Sequence, residues 1–188
     1  MSESLTPSYF DRLYRGDPDP WRFATSDYER RKYDSTLAAL PPGRIGSAFE
    51  IGCSIGVLTQ RLAARCGALL AVDVAEPALA QARARCAGLR HVSIVRMQIP
   101  AQWPDGGFDV VLLSEILYYL SAADLAATAR RTQASLKPGG AVLLVHYTLP
   151  TDYPQSGDVA SEHFIAASGL RPITQRRDAQ YRLDLLAR

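Results

Sequence analysis

The stretch "SAFEIGCSIG", Ser47 to Gly56, decides how the rest of the chain reads. It opens as a short apolar run and carries an acid at Glu50. It then breaks at Gly52 and Gly56, before the helical spacing of Leu58 and Leu62 sets in. Glycine takes φ > 0 without cost and has no Cβ, so such a strand–turn–helix junction lets backbone approach a ligand closely. Glu50, Gly52, Cys53, Ser54 and Gly56 are therefore candidate ligand contacts. Taken alone, the same junction reads equally as an ordinary turn. Ser54 fills the middle place of the three-glycine pattern that cradles a pyrophosphate, which argues against a dinucleotide. Asp73 tips the balance. It closes the next apolar run, "ALLAVDV", about 20 residues on, where an acid accepts hydrogen bonds from ribose hydroxyls. Its other reading is a helix cap or a surface acid at a strand end.

Outward from this pair the chain alternates between strand and helix patterns. "HVSIVRM" has β-branched residues in alternation, while "FDVVLLSE" and "AVLLVHY" are nearly continuous apolar runs, as in parallel strands covered on both faces. One helix is expected to open at Glu76–Pro77, since proline suits a first turn. Another is expected from a Ser121 cap to about Leu136, stopped by "LKPGG", and a short one around His163–Ala167. "PITQRRD" and "YRLDLLA" read as a closing pair of strands. The alternation predicts an α/β fold with a doubly wound, mostly parallel sheet. Such sheets bind ligands at the carboxyl ends of their strands.

Upstream lies "GDPDPWRFATSDYERRKY", Gly16 to Tyr33. A floppy leader is polar and poor in aromatics, so this segment is expected to cover something. Tyr9, Phe10, Leu13 and Tyr14 share an apolar helical face. Ser26 and Glu29 have capping-box spacing, so a second helix should run from Asp27 toward Leu40, ahead of Pro41–Pro42. The expected organisation is one domain over residues 1–188, with a helical cap at 1–42 and a Rossmann-like core at 43–188.

With 188 residues, 47% of them hydrophobic, the chain can bury a core without disulfides. A net charge of +2 gives no electrostatic support for nucleic-acid or membrane binding. The three cysteines show no C-x-x-C spacing, which points away from a disulfide framework and a zinc site. "MSESLTPSYF" lacks a basic and an apolar leader region, and no apolar run is long enough for a bilayer. A cytoplasmic protein with no metal, no nucleic-acid partner and no membrane partner is expected; its oligomeric state is unknown at this stage.

"FEIGCSIG", Asp73, "FDVVLLSE" and "LKPGGAVLLV", in that order, resemble the class I S-adenosylmethionine-dependent methyltransferases from about Ala48 onward. "YFDRLYRGDPDPWRFATSDYERRKY" with "SEILYYL" is similar to the nodulation protein S group of rhizobia. Members of that group N-methylate a free amine on a de-N-acetylated chitooligosaccharide. The resemblance implies a Rossmann-like seven-stranded sheet with a C-terminal antiparallel strand, capped over the cofactor by the N-terminal helices. It implies S-adenosyl-L-methionine as cofactor and S-adenosyl-L-homocysteine as product. It places Glu50, the Gly52–Gly56 turn, Asp73, Val74, Met97, Gln98 and Ser114 around that cofactor. Gln98 stands where the family often has an acid for the adenine amine. Trp21 would cover the cofactor, or else staple the cap to the core, and Arg31 would meet its carboxylate bidentately.

Methyl transfer from a sulfonium is an in-line displacement that needs a neutral nucleophile. Glu115, closing "FDVVLLSE", could take a proton from an amine or hold an ammonium; it reads equally as a structural acid. His146, closing "AVLLVHY", is the alternative base, or a structural histidine. Tyr118, Tyr119, Asp152 and Tyr153 are candidate substrate contacts. The expected reaction is N-methylation of an amino sugar or de-N-acetylated oligosaccharide. The alternatives are O-methylation of a small metabolite and a non-catalytic methyltransferase-like binding module. An NAD-dependent oxidoreductase is disfavoured by Ser54 and by the lack of chain for a substrate domain. A nucleic-acid methyltransferase is disfavoured by "LSEIL", where an N/D-P-P-Y motif would stand.

Overall fold

Phe49 and Ile51 of the opening stretch point to one side of a sheet and Ala48 to the other, and both sides are buried. That is why the core strands carry almost no polar residues. In the computed structural model, which describes residues 3–188, the chain runs α1 (Pro7–Gly16), α2 (Asp27–Ala39), β1 (Ile45–Ile51), α3 (Val57–Ala63), β2 (Cys66–Asp73), α4 (Glu76–Cys86) and β3 (Val92–Arg96). It continues through β4 (Phe108–Ser114), a single 3₁₀ turn (Leu117–Tyr119), α5 (Ala122–Ala134), β5 (Leu136–Tyr147), α6 (Gly157–Ser168), β6 (Arg171–Arg177) and β7 (Tyr181–Ala187).

The strands form one sheet in the order β3-β2-β1-β4-β5-β7-β6. β7 runs antiparallel to both of its neighbours, and the remaining pairings are parallel. The strand order reverses at β1 and β4, which leaves a crevice at their carboxyl ends. Val111 and Leu113 of β4 join Phe49 and Ile51 against Leu125 and Ala129 of α5 and Phe164 of α6. Val110 and Leu112 pack on the opposite side with Tyr33 of α2 and Leu58 and Leu62 of α3. Each fully buried side chain of this size contributes roughly 1.5–3 kcal/mol.

Two boundaries differ from the sequence reading. "LKPGG" does not merely stop α5; it begins β5, with Leu136 paired to Phe108 and the register slipping before Ala141 meets Val110. α6 is a full helix rather than a short one around His163–Ala167. Its Ser156 cap accepts from the amide of Val159, and Gly157 alone fits the start, because a Cβ there would lie 1.9 Å from the Tyr147 carbonyl oxygen.

The N-terminal helices lie on the crevice. Phe10 and Tyr14 of α1 pack on Ile55, Ala75 and Ala78. The Asp11 carboxylate accepts from the amide of Glu76 and from Arg96. The proline-rich turn is organised by Asp19, whose carboxylate accepts from the amides of Phe23 and Ala24. Ser26 caps α2 as its spacing predicts. No helix among the described residues is long and apolar enough to cross a membrane.

Candidate active site

A cavity of about 160 Å³ opens between the cap and the carboxyl ends of β1, β2 and β4. Its outer half is built on Asp73, Val74, Met97 and Gln98, with Gln98 at the exposed rim. The Asp73 carboxylate accepts from the amides of Ser54 (2.9 Å) and Ala75 (3.0 Å), so the glycine turn and the strand end are tied together. Burial raises the carboxyl above its ordinary value, and those amides oppose the rise. Trp21, Phe23 and Tyr14 roof this half. The Trp21 ring stacks on Phe23 at 5.5 Å and meets Tyr14 edge-on at 5.7 Å. The Tyr14 hydroxyl bonds Ser54 Oγ.

Gly52 holds φ +85, and a Cβ there would fall 2.1 Å from Ile116 Cγ2. Glycine is required at this point. Gly56 faces elsewhere. A Cβ on it would strike Ala82 of α4 at 2.9 Å, so it serves helix packing and not the cavity.

Behind Gly52 and Ser54 lies a smaller cavity of about 30 Å³, walled by Glu29, Glu50, Cys53, Ser114, Glu115 and apolar side chains. Neither Glu50 carboxylate oxygen has a hydrogen-bond partner, although the residue is 1% exposed. Burial pushes its carboxyl up to about 7; the nearby Thr59 hydroxyl opposes the rise without closing a hydrogen bond.

Glu115 touches both cavities at φ 58, a strained setting for a residue with a side chain. Its Oε1 accepts from Lys32 Nζ at 2.6 Å. Its Oε2 accepts from the Tyr118 hydroxyl at 2.6 Å and the Tyr147 amide at 2.8 Å. Burial would raise this carboxyl, but the Lys32 ammonium and these donors together hold it below the usual carboxylate range. It is an ionised anchor between cap and core.

Several residues expected at the site, namely Arg31, His146, Tyr118, Asp152 and Tyr153, border neither cavity. Arg31 is exposed on the outer side of α2 and reaches neither cavity. Lys32 is the base that turns inward, held also by Glu29 Oε1 at 2.9 Å. The buried positions of α2 are Glu29, Lys32, Tyr33 and Thr36, one helical face marked in the sequence by Tyr33. Read with that period, "ERRK" would have put Glu29 and Lys32 inside and Arg31 outside.

His146 is fully buried and borders neither cavity. Its Nε2 accepts from the Leu117 amide at 3.2 Å, and burial pushes its pKa down to about 4. Its ring supports the 3₁₀ turn through the Leu117 amide.

Of the tyrosines, Tyr119 lines the cavity, Tyr118 is buried beneath it, and Tyr153 stacks on Tyr118 at 5.2 Å. Asp152 is exposed and apart from the cavity.

The architecture is the Rossmann-like methyltransferase fold. The N-methyltransferase NodS of Bradyrhizobium japonicum WM9, solved with S-adenosyl-L-homocysteine, superposes with a TM-score of 0.81 over 96% of each chain at 23% identity. A Pseudomonas syringae structure described as a methyltransferase matches with a TM-score of 0.76 and 35% identity, over 86% of this chain and 99% of that one. Within that fold class the chain belongs to the nodulation protein S (NodS) family, whose profile matches residues 12–145. A nodulation protein S from Rhizobium tropici is 32% identical over 124 residues, 65% of this chain and 52% of its own length. The alignment thus spans about half of that curated relative.

Proposed function

We propose that this protein is an S-adenosylmethionine-dependent methyltransferase acting on a free amine, in the class of amino sugars and de-N-acetylated oligosaccharides. We take residues 1–188 to work as one domain, the cap at 1–42 closing over the core at 43–188. The observation that carries the reading is Asp73. It is a strand-end carboxylate held by two backbone amides and facing a roofed cavity at the switch in strand order.

The residues fit the cofactor. Asp73 has lone pairs left for ribose hydroxyls, Gly52 leaves bare backbone, and the unpartnered Glu50 oxygens suit a cationic group. Bound there, S-adenosylmethionine would supply the methyl group on a sulfonium, and S-adenosylhomocysteine would leave.

The chain's own part is placement and exclusion of water. Trp21, Phe23 and Tyr14 close the roof. Both Glu115 oxygens are taken by Lys32, the Tyr118 hydroxyl and the Tyr147 amide, so it is poorly placed to take the acceptor's proton; the amine must enter as free base. Glu115 stands at the wall shared by the two cavities, with its charge already met by Lys32. Tyr119 gives that wall an aromatic surface on which a sugar ring can lie.

Thermal melts with S-adenosylhomocysteine, for the parent and Asp73→Ala, test the cofactor. Ligand at about 100 times its Kd adds roughly 2.7 kcal/mol, several degrees for a domain this size. The parent should shift and the variant should not. Labelled methyl transfer should then favour glucosamine oligomers over their N-acetylated forms. No shift at millimolar ligand would remove the cofactor from the reading, and label on hydroxyl acceptors alone would make this an O-methyltransferase.

A further inference from the structure

The wall that carries Tyr119 is held from outside the cavity. Within the 3₁₀ turn, the amides of Tyr119 and Leu120 donate to the carbonyls of Ile116 and Leu117. The next three carbonyls, those of Tyr118, Tyr119 and Leu120, all accept from other elements. Leu5, ahead of α1, donates its amide to the Tyr119 carbonyl at 2.9 Å. Gln155 serves the other two. Its backbone amide donates to the Tyr118 carbonyl at 3.3 Å and its Nε2 to the Leu120 carbonyl at 2.9 Å. Tyr119 and Leu120 line the main cavity, whereas Gln155 borders neither cavity.

Gln155 is itself fixed in place. It directly precedes Ser156, the cap of α6, and that helix starts in close contact with the Tyr147 carbonyl at Gly157. The Leu120 carbonyl can only accept, so the side-chain amide must turn its nitrogen there. Its Oε1 then faces His163 Nδ1 of α6 at 3.0 Å, and His163 must donate from Nδ1. Two residues earlier, Tyr153 meets the Tyr119 ring edge-on at 4.7 Å and stacks on Tyr118. The segment between β5 and α6 thus grips the turn by backbone and by ring.

We propose that Gln155 is a positioning residue for the acceptor. By holding the Tyr118 and Leu120 carbonyls it fixes how Tyr119, between them, presents its ring to the cavity. On the reading above, which this inference rests on, a sugar ring of the amine acceptor lies on that surface. Asp73, Val74 and Met97 stand at the ends of β2 and β3, across β1 from the turn. Gln155 therefore governs acceptor binding and leaves cofactor binding alone.

Two near-isosteric variants test this. Gln155→Glu keeps an oxygen for His163 but sets a second oxygen against the Leu120 carbonyl. Gln155→Met fills a similar volume with neither donor nor charge. Methyl transfer to a glucosamine oligomer is followed at saturating S-adenosylmethionine, beside calorimetric titration with S-adenosylhomocysteine. The acceptor KM should rise about tenfold in Gln155→Glu and about threefold in Gln155→Met, as expected for a lost or opposed hydrogen bond. In both, kcat and the Kd for S-adenosylhomocysteine should stay within about twofold of the parent. An unchanged acceptor KM in Gln155→Glu overturns the assignment. So does a parallel worsening of KM, kcat and Kd in both variants, which would make Gln155 a general support of the fold. A parent that binds S-adenosylhomocysteine but methylates no glucosamine oligomer ends the acceptor reading, and this assignment with it.

Discussion

Two buried ionic clusters, one on β7 and one between α2 and the end of β4, are built differently. On β7, Arg182 is 2% exposed, and its Nε and Nη2 donate to both oxygens of Asp184, which is 1% exposed. Gln175 adds a third donor to Asp184. The other acids that Arg182 meets, Asp158 and Glu162, are 39% and 56% exposed at the side chain, so water completes them. One buried cation faces one buried anion, and every buried oxygen is met.

Around Lys32 the count is one ammonium to three carboxylates, with three oxygens unmet. Desolvated charge has to be balanced. A cluster balanced by its own chain is part of the scaffold. One left short of cations raises the pKa of its acids, as burial does at Glu50.

The most disruptive way to probe this contrast is Arg182→Met, which leaves Asp184 buried with Gln175 alone. A loss of about 3–5 kcal/mol is expected. In a domain this size that is a fall of roughly 10 °C in Tm. Arg182→Met with Asp184→Leu should recover most of the fall, because the pair goes together. Failure of the double variant to recover would mean that the cluster does more than balance charge.

Glu50→Gln probes the unbalanced cluster from the opposite side. The folded carboxyl lies at about 7 against an ordinary 4.5, so as pH rises the unfolded chain releases this proton first. Glu50 therefore costs no stability below about pH 4.5. Its cost grows through the interval up to pH 7 and is level above it. At pH 8, without ligand, the variant should be more stable than the parent by up to about 3 kcal/mol. Urea midpoints at pH 5 and pH 8 read the slope, and a variant that keeps the parent's slope contradicts the assignment.

The smallest effect is expected at His146, where the buried ring only supports the Leu117 amide. His146→Gln retains an acceptor and should cost about 1 kcal/mol, with turnover within threefold. A hundredfold fall in kcat in a folded variant would return this histidine to the chemistry.

Much of this architecture is written in local patterns. Continuous apolar runs at "FDVVLLSE" and "AVLLVHY" announce strands covered on both faces, and the structure buries them there. Ser26 and Ser121 cap the helices their spacing predicts. Asp73 and the glycine turn sit together at one cavity, because both lie at carboxyl ends of adjacent parallel strands. The positions read less well are those whose setting depends on partners remote in sequence. Glu115 looks like a free strand-end base until Lys32, 83 residues away, is seen to hold it. His146 ends a strand on the ligand edge, yet the 3₁₀ turn covers it.

The order of strands and helices, the glycine that must follow β1, and the acid that ends β2 could all be read from the chain, since each follows from a period or a turn requirement within a few residues. Which base of "ERRK" turns inward also lay within reach of helical periodicity. Whether a given carboxylate is free, paired or waiting for a cation did not. That depends on dielectric and on charges that only the packed cap and sheet bring within a few ångströms of one another.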